Sequence, residues 1–252
     1  MIISSNVLGR GAIAQSLRHV ASDYPGTLFN CAGIPHPSLM SDENIKREWS
    51  HIESIKNLAP YFDRIVHVST PAVLGNFIED YDESVEYGNG VTLYGYHKRK
   101  IEKSLCHSAK NNILIVRLFS FVSVQLKKQI VYDAIRKLKL GVRDFHISKE
   151  QKRCFVCEED FISMMRFSLN NEFSGIVNFT NSEATHLINA VEYIAQGLNF
   201  HMKLKFHPND DNLNYMSLAS TKSRLFDRGY TVKYVGLCAL DEVIRYYENN
   251  HI

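Results

Sequence analysis

Three apolar runs, residues 27–33, 64–68 and 113–119, are separated by stretches with helical spacing, and none of the three alternates polar with apolar residues. Continuous apolar strands need cover on both faces, and a parallel sheet with helices on either side supplies it. Ile45, Trp49, Ile52, Ile55 and Leu58 recur at three- and four-residue spacing and predict one covering helix over residues 42–58. A strand-like run at residues 1–5 precedes a glycine turn. A helix follows, with Ile13, Leu17 and Val20 on one face. The predicted class is α/β.

The second half is more mixed. Residues 127–139 read as a basic amphipathic helix, 153–157 and 175–180 as strands, and 158–169, 187–198 and 240–249 as helices, with a short strand at 203–206. Residues 1–120 form the first domain of this reading. Residues 121–252 form a second region, with a segment at about 153–180 returning to the first sheet.

Composition excludes several classes. The chain has 252 residues, 45% hydrophobic and 22% charged, with a net charge of +2. Those values describe a globular protein and give no case for nucleic acid as a partner. The longest apolar stretch, residues 112–124, is broken by Arg117, so no membrane span is expected. The N-terminus has no basic segment of the kind that starts a secretory signal. Five cysteines, an odd number, suggest reduced thiols and a cytoplasmic location. Cys154 and Cys157 form a lone CxxC with no second ligand pair, so no metal is expected.

Two stretches carry chemistry. Gly9, Gly11 and Ala14 fit G-x-G-x-x-A directly after the first strand. The first glycine makes the turn and the second admits a pyrophosphate to the backbone. The small third residue lets helix and strand pack closely, and the helix N-terminus faces the phosphates. Tyr94 and Lys98 stand four residues apart on one face of a predicted helix. An ammonium beside a phenol lowers its pKa and suits it to proton transfer. Tyr96 and Lys100 have the same spacing.

These stretches occur in a fixed order: the glycine turn, Asn30-Cys31-Ala32-Gly33, Ser69-Thr70, then Tyr94 and Lys98. The pattern resembles the short-chain dehydrogenase/reductase superfamily, and its extended branch acting on nucleotide sugars above all. Residues 68–75, VSTPAVLG, are similar to that branch's V-S-S/T-x-x-V-Y-G. Tyr94, Gly95, Lys98 and Glu102 are similar to its Y-G-x-S-K-x-x-x-E, which selects Tyr94 over Tyr96. Arg153 with Phe155, Val156 and Asp160, and residues 175–185, resemble two later motifs of the branch.

The resemblance implies roles. Tyr94 would be the general acid/base, with Lys98 lowering its pKa and holding the nicotinamide ribose. Thr70 would bond the reacting sugar oxygen. Gly9, Arg10, Gly11 and Ala14 would hold the cofactor's phosphates. Asn30, Cys31, Ala32, Gly33, Ser69 and Phe119 would border the cofactor, and Ser120 and Arg153 the nucleotide-sugar substrate. A guanidinium fork suits phosphate. Arg10 inside the turn favours NADP, with NAD possible. Pro71 and Ala72 stand where the branch's 4,6-dehydratases carry Asp and Glu, which argues against dehydration. Ser120 replaces the usual Asn, Val122-Ser123 the usual Tyr-Gly, and Cys154 the Asp after the arginine.

The function implied is an NAD(P)-dependent oxidoreductase on a nucleotide-activated sugar: a keto-sugar reductase of deoxysugar or surface-polysaccharide biosynthesis. A 4-epimerase and a catalytically silent dinucleotide-binding or regulatory protein are the alternatives. One part of the family pattern has no room. Twelve residues separate Ala14 from Thr27, whereas a βαβ unit takes roughly 30 or more. The spacing from Gly33 to Thr70 is again that of the family, so the strand at Thr27 corresponds to the family's fourth. The expected fold is a Rossmann-type parallel sheet lacking the second and third strands, with a small C-terminal α/β substrate region. The exposed sheet edge suggests a homodimer.

Overall fold

The computed structural model describes residues 6–75, 77–85, 91–108, 112–207 and 217–250. The strand expected at residues 1–5 lies outside them. The first described strand is β1 (Val7–Leu8), followed by α1 (Ala12–Ala21), β2 (Thr27–Asn30), α2 (Asp42–Leu58), β3 (Arg64–Ser69), β4 (Phe77–Glu79), α3 (Leu93–Ser108) and β5 (Ile113–Leu118). Then come β6 (Ser120–Val122), α4 (Ile130–Lys139), β7 (Asp144–His146), β8 (Lys152–Arg153), β9 (Phe155–Cys157), α5 (Glu158–Asn170) and β10 (Gly175–Phe179). The chain closes with β11 (Thr185–His186), α6 (Leu187–Gly197), β12 (Lys205–His207), β13 (Ser217–Ala219), α7 (Arg224–Asp227) and α8 (Asp241–Asn249).

Among the described residues the main sheet is parallel, five-stranded and ordered β1-β2-β3-β5-β10. The register is continuous from Val7 opposite Phe29, through Phe29 opposite Val66, to Val66 opposite Leu114. The chain passes from α1 through a short turn directly into β2, which leaves no room between them for the second and third strands of the full dinucleotide fold, and β1 is the edge among the described strands.

Successive strand residues face opposite ways, and the two cores show it. Phe29, Val66, Leu114, Val116 and Val177 pack with Leu17 and Val20 of α1 and with Phe161, Met164 and Met165 of α5. Leu28, Ile65, Ile113 and Ile115 face the other way, onto Ile52 and Ile55 of α2 and Ile101 and Leu105 of α3. Each of these fully buried side chains contributes about 1.5–3 kcal/mol. The result is a three-layer α/β/α arrangement. A further core joins α4, α6 and α8 through Ile135, Leu138, Leu187, Val191, Val243 and Tyr247.

Of the stretch expected to return to the sheet, β10 joins it beside β5 and α5 packs on α1. β8 and β9 pair elsewhere: β8 in a sheet ordered β11-β8-β13-β4, and β9 with β6. The predicted strand at 153–157 is broken at Cys154.

Candidate active site

The C-terminal ends of β1, β2, β3 and β5 lead into Gly9, Cys31, Thr70 and Phe119, and in open parallel sheets this end is where ligands bind. Gly9 has φ +130°, and a Cβ there would stand 3.2 Å from Ala14 Cβ and from the Cys31 carbonyl carbon. That position therefore takes only glycine, and Ala14 is the small residue that lets α1 close on β2. At Gly11 a Cβ would meet nothing within 4 Å. Gly11 is the N-cap of α1 and no side chain caps the helix start. An open backbone and an uncapped first turn suit a pyrophosphate. Arg10 is exposed at the tip, and Arg18 donates to Gly9 O at 2.9 Å, bracing the turn.

Thr70 caps the 3₁₀ turn Pro71–Leu74, accepting from Ala72 N at 3.2 Å. That turn is locked to α3. Arg99 donates to Val73 O through Nε at 3.1 Å and Nη2 at 2.6 Å. A Cβ at Gly95 would lie 2.1 Å from Ala72 O, so glycine is what lets the two backbones meet. Tyr94 is buried beside Ala72 and Ile34 and donates its O–H to Ile34 O at 3.3 Å. Lys98 Nζ lies 5.6 Å from the centre of the Tyr94 ring. Tyr96, with the same spacing to Lys100, is 48% exposed, so burial singles out the first pair.

The environment of Lys98 departs from the sequence reading. Its ammonium donates to Glu48 Oε1 at 2.5 Å, and His97 Nε2 donates to Glu48 Oε2 at 2.8 Å. Glu48 and its two partners are buried. The expected lowering of the Tyr94 pKa does not occur: burial raises it and the Glu48 carboxylate adds to the rise, so the phenol stays protonated. Burial lowers the Lys98 pKa and Glu48 opposes that.

Sequence reasoning missed Glu48, although a carboxylate in the apolar stripe of Ile45, Ile52 and Ile55 was a signal. It also missed a second polar chain beside it. Asn30 Nδ2 donates to His67 Nδ1 at 2.8 Å, and His51 Nε2 donates to Asn30 Oδ1 at 2.9 Å. His67 is held down to about 3 by burial first, then by Lys98 and His51.

The remaining candidates spread out. The Asn30 side chain is fully buried and spent on His51, His67 and the Ala32 N–H, which leaves the backbone of the 30–33 loop to border a ligand. Gly33 lies directly against Glu48 and Lys98. Burial pushes the Cys31 thiol up to about 12. Ser69 donates to Glu102, which pairs with Arg117 Nη2 at 2.9 Å, all buried. The Phe119 side chain is in the core, 2% exposed, with Phe121 and Phe179. Ser120 begins β6, opposite Phe155. Arg153 is in β8, opposite Thr185 and Leu218, and burial lowers its pKa to about 10. Cys154 Sγ donates to Ser220 O and Cys157 Sγ to Asp160, so the two thiols of the CxxC serve different neighbours. Among the described residues no His/Cys/Asp/Glu cluster could hold a metal, and no helix is long and apolar enough to cross a membrane.

No family model matches the sequence, and no curated protein matches it. Solved structures do. A dTDP-glucose 4,6-dehydratase from Bacillus anthracis in complex with NAD superposes with a TM-score of 0.72 at 16% identity, over 94% of this chain and 77% of that one. A UDP-glucose 4-epimerase from Thermotoga maritima with UDP-glucose gives 0.72 at 12% identity, over 92% and 81%. RMD from Pseudomonas aeruginosa, complexed with NADPH, gives 0.72 at 14% identity, over 90% and 83%. The chain thus has the fold of these proteins, with five parallel strands in its main sheet among the described residues.

Proposed function

We propose that the protein is an NAD(P)-dependent oxidoreductase acting on a nucleotide-activated sugar, and that it reduces a keto sugar, in deoxysugar or surface-polysaccharide biosynthesis in the cytoplasm. The observation that carries this reading is the burial of Tyr94 and Lys98 one helical turn apart, against Ile34 and Gly33 in the loop that follows β2. The fold shared with sugar-nucleotide enzymes supports the substrate class.

Gly9, Arg10, Gly11, Ala14 and the start of α1 would hold the dinucleotide's phosphates, and Lys98 the nicotinamide ribose. The cofactor's chemistry is hydride transfer to the carbonyl carbon. The chain's part is the proton. Tyr94 gives the proton of its O–H to the carbonyl oxygen, which becomes the hydroxyl, and Thr70 orients that oxygen. Burial keeps the phenol protonated in the free protein, the form from which it gives its proton to the carbonyl oxygen. Arg153 would hold the substrate's diphosphate, Ser120 would line the substrate, and a second copy of the chain would complete the adenosine side at β1.

A second reading has its own observation. The Tyr94 O–H is already bonded to Ile34 O and the ammonium to Glu48, as befits a catalytically silent dinucleotide-binding protein. Mixing the protein with NADPH and a nucleoside-diphosphate 4-keto sugar separates the readings. Stoichiometric loss of NADPH absorbance supports the reductase. Inversion at C4 of the corresponding 4-hydroxy sugar incubated with NAD, without net cofactor change, would identify an epimerase, and binding of NADPH without turnover of either kind would favour the silent protein.

A further inference from the structure

The carboxylate at Glu48 is the charge nearest the Tyr94–Lys98 pair that the proposed reaction does not use. It comes from α2, whereas the pair is on α3, so the contact depends on the packing of the two helices. Its two oxygens are taken by Lys98 and His97, and Trp49 packs edge-on against His97, 6.1 Å between ring centres. The backbone at Gly33 closes over the pair: a Cβ there would stand 2.2 Å from Glu48 Oε1 and 3.0 Å from Lys98 Nζ. The titratable groups facing this site are Glu48 and His51 on α2, His97 and Lys98 on α3, and His67 on β3. Glu102, one turn beyond Lys98, is tied to Arg117 and Ser69.

We propose that Glu48 is a positioning residue that sets the protonation of Tyr94: by binding the Lys98 ammonium it withholds that charge from the phenol and keeps it in its proton-bearing form. This rests on the reductase reading for its consequence, but the contact itself does not. An ammonium paired at 2.5 Å acts on the phenol as part of a neutral pair rather than as a free positive charge. Removing the carboxylate frees the positive charge to favour phenolate, and the site becomes better able to accept a proton.

The test is the ionisation of Tyr94, read without substrate or cofactor. The chain has 13 tyrosines, so tyrosinate absorbance is titrated as a difference between each protein and its own Tyr94→Phe version. In Glu48→Gln the Tyr94 step is expected at least one pH unit below the wild-type position, a tenfold change in phenolate at fixed pH. Where the wild type shows no step below its alkaline unfolding transition, a step emerging there in Glu48→Gln is the same outcome. Glu48→Asp, with its carboxylate drawn back by one methylene, is expected between the two. An unmoved or upward step in Glu48→Gln overturns the proposal. If Glu48→Gln does not fold, Glu48→Asp decides alone, and an unmoved or upward step there overturns it equally. NADPH binding, followed by its fluorescence on the same proteins, tests the dinucleotide reading separately: absent binding with a shifted Tyr94 step would sink that reading and keep this one.

Discussion

Gly33 lies on top of the contact between Glu48 and Lys98, with a Cβ at that position 2.2 Å from Glu48 Oε1. Both side chains are pinned by burial, so Gly33→Ala must push the carboxylate or lift the loop. The expected cost is about 1–3 kcal/mol, as for other overpacked sites. Urea unfolding midpoints measure it, and an unchanged midpoint would show that the loop moves freely.

Tyr94→Phe keeps the ring's packing beside Ala72 and removes the proton. The expected loss is at least ~10²-fold in turnover with the fold retained. Tyr96→Phe, on the exposed face, should change the rate little. Equal losses in both variants would remove the basis for choosing Tyr94.

His67 is buried neutral, its Nδ1 accepting from Asn30. Its folded pKa, about 3, lies below the ordinary 6.5. Between those values the unfolded chain binds a proton that the folded chain refuses, so stability is present above pH 6.5 and is lost as the pH falls. The slope is about 1.4 kcal/mol per pH unit for one such group. His67→Gln, which offers an oxygen to Asn30 and does not titrate, should flatten the acid side of the stability curve. Parallel curves for the two proteins would contradict the assignment.

Arg117 is 1% exposed, crosses from β5 to Glu102 on α3, and leaves its Nη1 without a hydrogen-bond partner. Losing one member of a buried pair typically costs 3–5 kcal/mol, whereas replacing both by apolar residues can be neutral. Glu102→Leu alone should therefore be strongly destabilising, and Glu102→Leu with Arg117→Met much less so, by denaturant unfolding.

Arg10 stands exposed between the two glycines of the turn, where a guanidinium can reach a 2′-phosphate. NADPH is expected to bind more tightly than NADH, and Arg10→Ala should narrow the difference. Equal or tighter binding of NADH by the wild type would refute this preference.

What could be read beforehand follows from the length of the signal. The helix at 42–58 and the strand ends at Gly9, Cys31 and Thr70 come from patterns many residues long, and the Tyr94–Lys98 pair from one helical turn. Strands β6, β7 and β13 have three residues each, too few to carry a period. Glu48 could be seen to lie in an apolar stripe, but its partner could not. Lys98 comes to it by tertiary packing across 50 residues. The same packing reverses the expected effect on Tyr94, because two residues on one helix face interact in the company of whatever the next helix brings.

The edge position of β1 says how such a protein can exist at all. In the full dinucleotide fold the strands run 3-2-1-4-5-6, so the second and third lie outboard of the first. Their loss trims a margin and opens no gap: every inner ladder from β1 to β10 keeps its neighbour and its register. The fold is in this sense divisible: an outer pair of strands is separable from the inner five. Engineering can run the division backwards. The turn of residues 22–26, between α1 and β2, is the natural splice point for a grafted strand–helix–strand segment, since the new strands would dock outside β1 without disturbing what lies within.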